Sequence, residues 1–280
     1  MEKYITCWGD SLTAAGGWTE LLSELTGLPV YNGGTGGEKM TTIMARQGAD
    51  AIMINGITLP SEAEPVTLAT FASPFTTYLG RTATPLLQGG AHVNPVCLGG
   101  VYGNLVFTGK RYDDSTGVWN FTRLEGGERV TIDRPTAMTT AFDRERNAPY
   151  LMIIFMGQNG GYEDISDLIA GHKLMMAHAR AEYTVILGLS SGTADSRREY
   201  ELAMKREFGR YFISLREYLS EYGMADAGLT PSEEDEAAMA MGKVPQSLLV
   251  DSVHFKPETK KVIGELIYKR LTELGVFDNR

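Results

Sequence analysis

The stretch Tyr4-Ile5-Thr6-Cys7-Trp8-Gly9-Asp10-Ser11-Leu12-Thr13 decides how the rest of the chain is read. Its first half is β-branched and aromatic and stops at a turn signal, Gly9-Asp10, which predicts a short buried strand. Ser11 then stands at the carboxyl end of a first strand, just past a glycine that lets the backbone turn sharply. Open α/β sheets take their ligands at that edge. A simpler role competes for these residues: Asp10 or Ser11 as the cap of the next helix, the usual duty of such side chains at a strand-to-helix junction.

The far end of the chain bears on that choice, because Asp251-Ser252-Val253-His254 brings a carboxylate and an imidazole into one short segment. A serine hydroxyl becomes a useful nucleophile when a base takes its proton, and the base works best when a carboxylate fixes its tautomer. Ser11, His254 and Asp251 are those three parts. Two further stretches end predicted strands between them. Val30-Tyr31-Asn32 runs into Gly33-Gly34-Thr35-Gly36-Gly37-Glu38, and the apolar run Tyr150 to Met156 runs into Gly157-Gln158-Asn159-Gly160.

In this order and at these places, the blocks resemble those of the GDSL-type esterases and lipases, the SGNH hydrolase superfamily. The resemblance implies an α/β fold, a three-layer α/β/α sandwich around a central parallel sheet of flavodoxin-like type with four or five strands. It makes Ser11 the nucleophile, His254 its base and Asp251 the orienting carboxylate. It builds the oxyanion hole from the backbone N–H groups of Ser11 and Gly37 and the side-chain amide of Asn159, and it implies no metal and no organic cofactor. One position departs from the pattern. Gly160 stands where the family's third block closes with an aspartate, so whatever that aspartate does to hold the loop is missing. Acyl transfer puts negative charge on a carbonyl oxygen, and removing one preorganised donor typically costs about a hundred- to a thousandfold in rate. A glycine-rich loop brings a backbone N–H close without side chains in the way, and an asparagine offers two amide donors.

The 280 residues are 43% hydrophobic and 22% charged with a formal net charge of −9, an ordinary globular composition. The acidic balance and the lack of a basic block argue against nucleic acid as the main partner. The partner expected instead is a small-molecule or glycan ester. Cys7 falls in the apolar first strand, so a buried free thiol is expected rather than a disulfide with Cys97. No apolar run approaches the roughly eighteen residues needed to span a bilayer, and no basic-then-apolar leader is visible. As written the chain reads as cytoplasmic; a secreted protein whose leader had been removed would read the same way. The loop Gly33 to Lys39 also invites comparison with a phosphate cradle, but Glu38 and Met40 break the Gly-Lys-Ser/Thr order such a loop needs.

Helical spacing recurs over Trp18 to Thr26, Glu38 to Gln47, Ile165 to Ala181, Arg197 to Phe208 and Lys256 to Leu274, and strands are predicted at Pro29–Asn32, Tyr150–Met156, Thr184–Leu189 and Tyr211–Leu215. Between Ala51 and Asn147 the pattern changes to short alternating runs parted by Gly, Pro, Asn and Asp, with hairpin turns expected at Asp113–Gly117 and Glu125–Glu128. Residues 1–50 and 148–280 are therefore read as one discontinuous hydrolase domain and 51–147 as a β-rich insertion. The insertion has two readings: a structural appendage or dimerisation surface, or a lid or carbohydrate platform. Tyr102, Tyr112, Trp119 and Phe121 are its aromatics, placed either in its core or on a sugar. His172 and His178 are expected at the surface or partly buried, with no ligand spacing to make a metal site. The acidic run Glu233-Glu234-Asp235-Glu236, behind Thr230-Pro231-Ser232, is expected to compensate a helix dipole on a solvated face.

The function expected from the resemblance is hydrolysis of a carboxylic ester through an acyl-serine intermediate. A short acyl group on a carbohydrate is favoured, since no long apolar stretch near the blocks suggests a tunnel for an acyl chain. A lipase or lysophospholipase and a thioesterase are the alternatives among enzymes. A glycan-binding or assembly module on a silent hydrolase scaffold is the alternative of another kind.

Overall fold

The computed structural model describes residues 2–83, 93–109 and 116–278. The chain divides into two compact units, one made of Met1–Gly37, Ala148–His172 and Ala181–Arg280, the other of Glu38–Asn147 and Lys173–Arg180.

The first unit is built on a parallel sheet of five strands: β1 (Ile5–Gly9), β2 (Val30–Gly34), β3 (Leu151–Phe155), β4 (Tyr183–Leu187) and β5 (Phe212–Ile213), in the spatial order β2-β1-β3-β4-β5. Every residue of β1 and β3 is buried. β3 is a continuous apolar run and β1 is interrupted only by buried Thr6, the low-polarity pattern that strands covered on both faces require. Alternate residues Ile5, Cys7, Leu151, Ile153, Phe155, Val185 and Leu187 join one apolar cluster with Trp18 and Leu22 of the helix Trp18–Thr26 and Ile263 and Ile267 of the helix Pro257–Glu273. The strand order places the site. The chain steps from β1 to β2 on one side and returns to β3 on the other, so the carboxyl ends of β1 and β3 flank a switch in direction, where such sheets bind ligands.

Several expectations need correction here. The predicted strand Tyr211–Leu215 is only Phe212–Ile213, because Leu215 and Leu219 are spaced to begin a helix, Leu215–Glu221, and both are buried. The acidic run does not lie wholly on a solvated face: Glu233, Glu234 and Glu236 are exposed, but Asp235 is buried. His172 is fully buried, not near the surface. Its Nδ1 lies 2.8 Å from the Leu168 carbonyl and its ring packs on Phe208, with centroids 5.8 Å apart.

The second unit holds an antiparallel eight-stranded sheet and a separate two-stranded pair, Ile57–Leu59 with Val130–Ile132. Its core gathers Ile52, Phe75, Leu105, Trp119 and Phe121, with the Trp119 ring stacked on Phe107 at 4.6 Å. Trp119 and Phe121 are therefore core residues. Tyr102 is half exposed with the Arg144 guanidinium 5.0 Å from its ring centroid, and Tyr112 lies outside the described residues. The strands Val101–Thr108 and Val118–Arg123 pair as a hairpin, whose turn at Asp113–Gly117 lies mostly outside the described residues. Glu125–Glu128 is not a hairpin turn, since the strands before and after it pair with different partners. Buried Arg123 fastens it, donating to the carbonyls of Glu125, Glu128 and Pro60 at 2.6, 3.0 and 2.6 Å.

The boundary between units falls at Gly37/Glu38 rather than at 50/51. The helix Met40–Gln47 belongs to the second unit: Ala45 sits in that unit's core, buried Arg46 pairs with Glu38 at 2.7 Å, and its carbonyl accepts from Thr140 at 2.7 Å. Among the described residues no helix is long and apolar enough to cross a membrane, and both cysteines are free, Cys7 buried.

Burial pushes the His172 imidazole down from its ordinary 6.5 to about 4, against the opposing pull of its bond to Leu168. Between those values the unfolded chain binds the extra proton, so this contribution to stability is lost as pH falls, by roughly 3 kcal/mol across the whole window. Urea unfolding of the wild type and of His172→Leu at pH 7 and pH 4.5 checks this. The wild type should lose more stability on acidification than the variant, and equal losses would refute it.

Candidate active site

The turn after β1 is set by what its glycine lacks. A Cβ at Gly9 would overlap the Thr13 hydroxyl and the Phe155 carbonyl, so only glycine lets the chain turn back this tightly beside β3. Asp10 then caps the helix Ser11–Ala14, its Oδ1 accepting from Leu12 N–H at 3.0 Å. The capping role expected at this junction thus belongs to Asp10. Ser11 is the helix's first residue, and its N–H is among those with no acceptor inside the helix.

A helix this short does not hold itself, and its surroundings pin it. Trp18 Nε1 donates to the Leu12 carbonyl at 3.1 Å, and Lys260 Nζ to the Ala15 carbonyl at 3.0 Å. From β2, Asn32 Nδ2 donates to the Thr13 carbonyl at 2.8 Å while Asn32 Oδ1 accepts from Gly34 N–H at 2.9 Å. Gly34 lies so close that a Cβ there would overlap the backbone of Thr13 and Ala14. The next loop is tied to the end of β1 by Thr35 N–H on the Gly9 carbonyl at 3.1 Å, and reaches Gly37, which is exposed at φ +75°.

Asn159 follows β3 in the turn Gly157–Gly160, which is closed by Gly160 N–H on the Gly157 carbonyl at 3.0 Å. Gly160 sits at φ +73°, a conformation that favours glycine over an aspartate. The loop is held in another way: Gln158 Oε1 accepts from Ser190 N–H at 3.2 Å, joining it to the segment after β4. Sequence reading passed over Gln158; its position between Gly157 and Asn159 was the available signal. Ser11, Gly37 and Asn159 thus follow the carboxyl ends of three neighbouring strands, β1, β2 and β3.

The segment before the last helix completes the group. His254 Nε2 lies 2.9 Å from Ser11 Oγ, and His254 Nδ1 lies 2.7 Å from Asp251 Oδ2. The other carboxylate oxygen, Oδ1, accepts from Val253 N–H and His254 N–H, both at 2.8 Å. With an ionised carboxylate at Nδ1, the proton-bearing nitrogen is assigned there, which leaves the Nε2 lone pair to accept from the Ser11 hydroxyl. The His254 N–H, its ring and the Val253 N–H hold the Asp251 carboxyl down at about 2, despite a small opposing effect of desolvation. Asp251 is therefore ionised at neutral pH and acts as an acceptor. The two side chains are 42% and 54% exposed, so water reaches the dyad. Ser11, His254 and Asp251 form one hydrogen-bonded line able to draw a proton off the serine.

The remaining histidines stand apart from that line. His172 is fully buried within the first unit, and His178 pairs with Asp143 at 2.7 Å within the second unit. Among the described residues no group of three or more His, Cys, Asp or Glu is placed to hold a metal ion. Compared with known protein families the chain matches none, and no curated protein matches it.

The clamp on the Ser11 helix has a direct test. Gly34→Ala forces strand and helix apart and should cost about 1–3 kcal/mol, the usual range for overpacking, read as an earlier midpoint in urea. An unchanged midpoint would show that the contact has room to relax.

Proposed function

We propose that this chain is a serine esterase of the GDSL type, within the SGNH hydrolase superfamily, on a three-layer α/β/α sandwich of flavodoxin-like strand order. The observation that carries the reading is the unbroken line Ser11 Oγ, His254 Nε2, His254 Nδ1, Asp251 Oδ2, with spacings of 2.9 and 2.7 Å. The Ser11 hydroxyl attacks the ester carbonyl as His254 takes its proton, and the negative charge that develops on the carbonyl oxygen is met by the N–H groups of Ser11 and Gly37 and the Asn159 amide. His254 then returns the proton to the departing alcohol, leaving an acyl-serine. Water attacks that ester with His254 again as base, releasing the carboxylic acid and the free serine.

The substrate class favoured is a short acyl group, acetyl first, on a carbohydrate. Lipids or lysophospholipids and thioesters are the alternatives within the same chemistry. A silent glycan-binding scaffold has no use for a base in hydrogen-bond contact with its serine, so the intact line supports turnover over binding alone.

Hydrolysis of p-nitrophenyl acetate, butyrate and decanoate by wild type and Ser11→Ala tests the reading, with fluorophosphonate labelling of both proteins beside it. Ser11→Ala should lower kcat by about a thousandfold or more and abolish labelling. Asp251→Asn should keep on the order of ten to a hundred times the activity of His254→Ala, because a nucleophile and base without their orienter still work in part. Asn159→Ala should lower kcat by about a hundred- to a thousandfold with little change in KM. Wild-type protein that neither turns over these esters nor takes the label would sink the esterase reading and favour the binding module.

A further inference from the structure

Asp235 is 2% exposed, and its carboxylate accepts four hydrogen bonds. Oδ2 accepts from the Ser232 N–H at 3.1 Å, the Ser232 hydroxyl at 3.0 Å and the Ser247 hydroxyl at 2.6 Å; Oδ1 accepts from the Ser247 N–H at 3.1 Å. The Ser232 N–H bond to Oδ2, with Asp235 N–H donating back to Ser232 Oγ at 3.2 Å, is the capping box of the helix Glu233–Ala240. The Ser247 pair has nothing to do with capping that helix. An ionised carboxylate is costly to bury unless its lone pairs are met. Burial raises this one, but the side-chain and backbone bonds from Ser247, followed by those from Ser232, outweigh it and hold the group at about 2.

Ser247 is the middle residue of the turn Gln246–Leu248, at the foot of the segment that carries the dyad. The Leu248 carbonyl accepts from Lys256 N–H at 3.0 Å and Thr259 Oγ1 at 2.7 Å, Leu249 bridges antiparallel to Phe255, and Val250 N–H donates to the His254 carbonyl at 2.7 Å. Residues 248–256 are therefore a closed hairpin with Asp251 and His254 at its tip. The dyad side chains are too exposed for packing to hold them. Their placement comes from the turn at the hairpin's foot: Lys256 N–H and Thr259 Oγ1 hold it at the Leu248 carbonyl, Asp235 holds it one residue earlier at Ser247, and Gln246 Nε2 of the same turn donates to the Asp251 carbonyl at the tip at 2.8 Å.

We propose that Asp235 is a positioning residue which, through Ser247, sets the reach of His254 Nε2 to Ser11 Oγ. The inference rests on the esterase reading of the site. Asp235→Asn keeps the residue's size but turns one acceptor into a donor that faces donors, so the foot shifts. A displacement near 1 Å at reacting groups costs up to about a hundredfold in rate.

The test measures kcat and KM on p-nitrophenyl acetate for wild type, Ser11→Ala, Asp235→Asn, Ser247→Ala and the Asp235→Asn/Ser247→Ala double variant, with thermal unfolding of each. The expected result is a fall in kcat of about tenfold or more for Asp235→Asn at nearly unchanged KM. Ser247→Ala should fall less, and the double variant should be no worse than Asp235→Asn, since both act through one contact. A merely structural role would lower Tm and leave kcat and its coupling to Ser247 alone. Folded Asp235→Asn with kcat within twofold of wild type overturns the inference, and if that variant does not fold, Ser247→Ala with kcat within twofold does so. Wild type without Ser11-dependent turnover overturns the esterase reading and this inference with it, and the Ser11→Ala control tells the two failures apart.

Discussion

A four-residue helix has no stability of its own, because nucleating a turn fixes several residues for one hydrogen bond, and the candidate nucleophile is the first residue of such a helix. Its position is therefore borrowed from the strands beside it. Gly9 and Gly34 are the two places where a side chain would drive β1 or β2 off the helix, and Asn32 and Trp18 bind its carbonyls from outside. The buried parallel sheet gives those partners fixed places. The sheet's core and the site are thus one problem in packing: the apolar cluster under β1 and β3 holds the edge from which Ser11, Gly37 and Asn159 emerge.

The readable part of this arrangement was the part that depends on local chemistry. The largely apolar stretch Ile5–Gly9 and the continuous apolar run Leu151–Phe155 mark strands buried on both faces, and turn residues mark where they end. The pairing of Ser11 with His254 was legible as residue types and order, although 243 positions separate them. What stayed hidden depends on tertiary partners. Ser232 three residues before Asp235 marks it as a capping-box acid, but its second partner, Ser247, comes from another segment and leaves no local sign. His172 carries a polar ring on a helix, and its burial involves partners such as Phe208 from another helix. The unit boundary moved from 50 to 37 for the same reason. The helix Met40–Gln47 has an unremarkable amphipathic pattern, and only tertiary contacts, Ala45 in the second unit's core and Arg46 with Glu38 and Thr140, show which core it serves. Arg123, likewise, reads as a strand-end cation until the carbonyls around it are known.

The exposure of the dyad decides what kind of help Asp251 gives. In a dry site a carboxylate stabilises the imidazolium through its charge, since Coulomb energies rise steeply as the dielectric falls. Here the carboxylate is more than half exposed, and water and salt screen most of that field. Its hydrogen bonds are not screened in the same way. Two N–H groups fix Oδ1 and the ring fixes Oδ2, so the carboxylate holds the imidazole plane and its tautomer. In the proposed reaction, orientation is then the main contribution of Asp251, and orientation is only as good as the hairpin that carries both residues. For the proposed reaction, that shifts weight from the dyad to the buried polar contacts at its foot, where a carboxylate shielded from water can keep its bonds intact while the tip stays open to water.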